Sequence, residues 1–150
     1  MLLGLKSPIL HFLATALLGG AWFLLMCVAL ATAQKATPNE SDLPKYDLHS
    51  EIKSKGVVDE VKLLPMGKKD MVELILKSGD DKVSVYVCPK AFQEEMGISF
   101  SKGDEIALTG SKVKLEAGDV ILARELVKGT DTLMFRDDKG NPVWDPRTGK

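Results

Sequence analysis

One thiol, two arginines and a tyrosine are the side chains in this sequence whose type and setting could do chemistry. Cys88 closes an alternating apolar run, Lys82 to Cys88, and stands before Pro89, where a helix is expected to start. Backbone N–H groups aligned at a helix start, with Lys90 beside them, would favour a thiolate and hence a redox or nucleophilic role. The competing fate is that of a small buried hydrophobe at a strand end. That fate is favoured, because no histidine lies nearby in sequence and the only other cysteine, Cys27, falls in an apolar leader.

Arg124-Glu125 and Arg136-Asp137 follow extended segments near the C-terminus. The planar guanidinium fork suits carboxylate or phosphate, so Arg124 and Arg136 are candidate ligand-binding residues, with Tyr86 as a third. The structural alternative, which is favoured, makes Arg124 half of an ion pair to a carboxylate on a neighbouring strand. Tyr86, Phe135 and Trp144 could also stack bases, although core roles suit them better and Trp144 reads as a plug at one barrel end. The paired acids Asp80-Asp81 and Asp137-Asp138 lack the spacing of a calcium loop and read as turn residues. His49 stands alone after residue 33, so no metal site is expected.

The chain has 150 residues, with 20 basic and 21 acidic side chains. Met1 to Ala33 carries one charged residue, Lys6, then 22 residues without charge from Phe12, and ends Ala31-Thr32-Ala33. That is the form of a secretory signal, with a retained membrane anchor as the alternative. Either form places the rest outside the cytoplasm, in the periplasm or secreted. Loss of the leader removes one lysine and no acid, leaving a net charge of −2. A mildly acidic, well-mixed surface argues against a nucleic-acid backbone as main partner, and none is expected. With no C-x-x-C anywhere, haem attachment and zinc ribbons are excluded too, and no cofactor is expected.

The elements that must position these groups are mostly strands. Residues 34–45 are polar, hold two prolines, and read as a linker to a domain at 46–150. One long strand from Tyr46 to Leu64 is expected, kinked near Gly56. A turn at Pro65 to Asp70 leads to Met71–Lys77, and a hairpin leads to Lys82–Cys88. Lys90–Met96 is a short helix closed by Gly97. Asp104–Leu115 changes its apolar face around Gly110-Ser111, which predicts a bulge. Asp119–Lys128 and Thr132–Arg136 complete a β-β-β-α-β-β order with one extra strand. The fold class is mainly β: an OB-like, five- to six-stranded, partly open barrel with one short helix, preceded by an N-terminal apolar helix.

The segments GDEIALTGS (103–111) and VILARE (120–125), with the ending LMFRDDKGNPVW (133–144), resemble a family of small exported bacterial OB-like domains. These occur in magnetosome-associated periplasmic proteins and in uncharacterised relatives. The resemblance spans roughly residues 50 to 145 and implies a fold and a compartment more than an activity. Some members carry haem-attachment motifs; their absence here means that haem-borne electron transfer does not carry over. The expected function is therefore a non-catalytic envelope binding module for a protein, peptide or small anionic ligand. A membrane-tethered structural accessory protein, and a thiol-based redox protein using Cys88, are the alternatives.

Overall fold

The computed structural model describes residues 43–145. The expected leader with its apolar helix, and all but the end of the expected linker, lie outside them. Six strands and one helix follow in order: β1 (Glu51–Met66), β2 (Lys69–Ser78), β3 (Asp81–Pro89), α1 (Lys90–Glu95), β4 (Glu105–Leu115), β5 (Gly118–Lys128) and β6 (Asp131–Met134). The sheet order is β3-β2-β1-β4-β5-β6, and a further pairing of β3 with β5 closes the first five strands into a ring. All contacts are antiparallel except β3–β5, which is parallel and three residue pairs long. That short seam leaves the barrel partly open, an arrangement compatible with the expected OB-like order.

Alternation explains the core. Val72, Leu74 and Leu76 of β2, Val85 and Val87 of β3, and Ile106 and Leu108 of β4 all point inward and are buried, meeting Ile121, Ala123, Leu126 and Phe135. Burying such side chains stabilises by roughly 1.5–3 kcal/mol each. Helix α1 ends where Gly97 and Ile98 donate to the carbonyls of Glu94 and Gln93, the double bond of a Schellman stop.

Three irregularities differ from the sequence reading. The segment from Tyr46 to Ser50 is not strand: Asp47 accepts from the His49 N–H and caps a 3-10 turn over Leu48–Ser50. A side chain that bonds its own backbone competes with the ladder. The bulge of β1 falls at Asp59 rather than Gly56, because the register to β2 shifts between Val58 and Glu60. Lys82 and Lys102 hold the Asp59 carboxylate at 2.7 and 3.6 Å. Between β4 and β5 the register does shift beside Gly110, but the additional residue is Arg124 of β5: Thr109 faces Glu125 and Gly110 faces Ala123. A Cβ at Gly110 would lie 2.4 Å from the Leu122 carbonyl oxygen, so only glycine lets β5 come this close. The turn before β2 is also tighter than expected, since the strands run to Met66 and from Lys69.

Candidate functional site: a closed aromatic clasp and an open lysine-edged face

The bulge turns Arg124 out of the ladder. Its carbonyl accepts from the N–H groups of Phe135 (2.7 Å) and Arg136 (3.2 Å), so the chain after β6 is tied to the bulge. Its side chain reaches β1, where Nε donates to Glu51 Oε1 at 2.6 Å, and Nη1 lies 3.5 Å from Asp138. The Tyr46 hydroxyl donates to the same Glu51 oxygen at 3.0 Å. Burial, reinforced by this carboxylate, pushes the Tyr46 phenol up to about 12. Burial pulls the Arg124 pKa down, but the hydrogen bond and charge of Glu51, together with Tyr46, outweigh it and the shift is upward.

Arg136 lies deeper. Its guanidinium sits 5.4 Å from the Tyr46 ring and 5.3 Å from the Trp144 ring, between the chain entering the barrel and the chain leaving it. Nη1 donates to the Gly140 carbonyl at 2.9 Å, while Nε is buried without a partner. Desolvation lowers its pKa. Gly140, at φ +83°, presses against Tyr46, and any Cβ there would lie 2.4 Å from the ring. Trp144 tilts against Phe92 at 6.0 Å and packs against the core cluster. Asp137 accepts from the N–H groups of Lys139 and Asn141 and from Asn141 Nδ2, so its carboxylate organises a turn.

The structure thus joins Arg124 and Arg136 in one clasp and leaves Tyr86 apart. Tyr86 is half-buried on β3 opposite Glu73, with its phenol pKa raised by burial. Cys88 is fully buried, and burial pushes its thiol up to about 12, away from thiolate. Among the described residues no group of acids, histidines and cysteines could hold a metal ion.

What the sequence reading missed lies on the outward face of β1, β4 and β5. Register aligns Lys53, Thr109, Glu125 and Met134 in one cross-strand row, and Lys55, Ala107, Val127 and Thr132 in the next. A third row holds Lys77, Val57 and Glu105. With strands about 4.8 Å apart, a four-residue row spans roughly 14 Å. Two adjoining clefts of about 310 and 550 Å³ run over these rows, sharing Lys55, Ala107 and Val127. Their floor is made of small or β-branched residues. Lys53, Lys55 and Lys77 line one side and form no ion pair among the described residues, while Glu105 and Glu125 line the other. Alternation of lysine with polar or small residues was the available signal, but it is also the ordinary pattern of a solvated strand face.

The described residues thus form a small, partly open β-barrel with a clasp around Arg124 and Arg136 and an open, cleft-bearing face on β1, β4 and β5. The chain belongs to the MamS/MamX magnetosome protein family, whose family model matches residues 51–133. A comparison with curated proteins finds no match. Among solved structures, a chain of the Stn1-ten1 complex of S. pombe is similar at 13% identity, over 63% of this chain and 78% of that one, with a TM-score of 0.43. No helix among the described residues is long and apolar enough to cross a membrane.

Proposed function

We propose that this domain is a non-catalytic, OB-like binding module of the cell envelope whose β1–β4–β5 face takes an extended, acidic protein segment. The observation that carries this reading is the pair of adjoining clefts edged by Lys53, Lys55 and Lys77, three ammonium groups without an internal carboxylate. An acidic segment laid along that edge would supply the missing partners, while Ala107, Thr109 and Val127 offer a floor low enough for backbone to approach. Glu105 and Glu125 across the clefts would orient a segment that also carries a basic residue. The leader-like stretch 1–33 and membership of a magnetosome family support a place outside the cytoplasm. The buried, protonated Cys88 supports a role without thiol chemistry, and the clasp engages Arg124 and Arg136, which leaves the ligand to the lysines.

Titration of isotope-labelled protein with a glutamate-rich octapeptide, followed by amide NMR, tests the proposal. Saturable, salt-sensitive shifts are expected at Lys53, Lys55, Ala107, Thr109 and Val127. Shifts centred on the clasp or on α1, or none at millimolar peptide, would overturn it.

A further inference from the structure

We infer that the free edge of β1, residues 59–64, pairs antiparallel with the same edge of a second copy of this chain, centred on Val61. β1 has two halves with different neighbours. Glu51 to Val57 pairs with β4, the pairing with β2 starts only at Val57, and Val58 exchanges backbone bonds with Gly103 and Asp104. Beyond the bulge at Asp59, β1 keeps β2 on one side and has no strand on the other among the described residues. Unpaired edge N–H and C=O groups of this kind are a template for another strand.

The side chains show that a strand is missing here. Val61 faces Leu74 and Leu63 faces Val72 across the ladder, so all four share the inward, apolar face. Leu74 and Val72 are 0% exposed, whereas Val61 is 38% and Leu63 48% exposed. The difference comes from position alone: β2 is flanked by β1 and β3, while this half of β1 is flanked on one side. An added strand would extend the sheet over both residues.

Charge selects the occupant and the register. Glu60 and Lys62 lie on the opposite face and already sit 3.3 Å apart in one chain. A two-fold axis through Val61 puts Glu60 of each copy opposite Lys62 of the other and stacks Val61 on its own counterpart, with each Leu63 diagonal to it. Opposite charges and apolar groups directly across an antiparallel pair are both favourable. Shifting the axis to Lys62 would oppose like charges. The contact is far smaller than the 20–30 residues a side of a stable complex, so the association is weak and concentration-dependent, and strongest where copies are crowded. It uses a different edge from the lysine-lined clefts and does not rest on the reading of that face.

The test uses the full chain in detergent micelles with Cys27→Ser, Cys88 being buried. Under mild oxidation Val61→Cys should cross-link to itself faster than the exposed control Val143→Cys, since facing Cβ atoms lie within about 5.5 Å. If Lys62→Cys cross-links fastest, the charge-paired register is wrong. In sedimentation, Glu60→Lys should weaken dimerisation about fivefold or more, and adding Lys62→Glu should restore it. A monomer at every concentration, or a dimer indifferent to Glu60→Lys, overturns the inference.

Discussion

The clasp and the lysine-edged face lie on the same barrel, yet they handle charge in opposite ways. In the clasp, Arg124 is held by Glu51, and Arg136 lies between two rings with a carbonyl at its tip. On the open face Lys53, Lys55 and Lys77 point at clefts and meet no internal carboxylate. A desolvated guanidinium must find partners inside the fold, while an exposed ammonium is satisfied by water and remains free for a ligand. The contrast teaches that residue type is a poor guide to function here: the more ligand-like cations are committed to stability.

The contrast is broken most severely at Arg136. Arg136→Ala removes the cation between Tyr46 and Trp144 and is expected to cost about 2–3 kcal/mol, read as a lower thermal midpoint. Below that midpoint, octapeptide binding should be unchanged; a weakened affinity there would mean that the clasp belongs to the binding face. The mirror experiment is Lys53→Glu with Lys55→Glu and Lys77→Glu. Affinity for the octapeptide should fall at least roughly tenfold, about 1.4 kcal/mol, while stability shifts by no more than about 0.5 kcal/mol per site. Arg124→Ala should be milder than Arg136→Ala, at roughly 1 kcal/mol, because the Glu51 pair is partly solvated. Equal losses at the two arginines would show that burial does not separate them.

The smallest effect concerns pH. Tyr46 and Cys88 are both raised in the fold, from ordinary values of 10.0 and 9.0 to about 12. The folded state keeps protons that the unfolded chain releases, so their contribution is present below pH 9 and is lost as pH climbs toward 12. Tyr46→Phe should flatten part of that alkaline decline in denaturant titrations across the window. A wild-type midpoint constant to pH 11 would count against the clasp as drawn.

Much of this was legible along the chain. Val72, Leu74 and Leu76 alternate with Glu73 and Lys77, and that pattern alone places a half-buried strand with its correct inward face. The stop at Gly97 was visible because glycine takes the left-handed conformation that ends a helix, here φ +65°, and the irregularity beside Gly110 because the apolar face of the segment changes there. What escaped was every choice between two neighbours. Nothing in the order of residues says that the additional residue beside Gly110 belongs to β5, or that Glu51, 73 positions before Arg124, is its partner.

The sequence by itself therefore determined most of the elements and their inward faces and favoured a buried Cys88, because periodicity and turn chemistry act over a few residues. Only the tertiary structure decided that Arg124 and Arg136 are consumed in a clasp, that three lysines from two strands border adjoining clefts, and that β1 beyond Asp59 has a strand on one side only. Those outcomes depend on cross-strand register, which is set by the closure of the whole ring rather than by any local stretch.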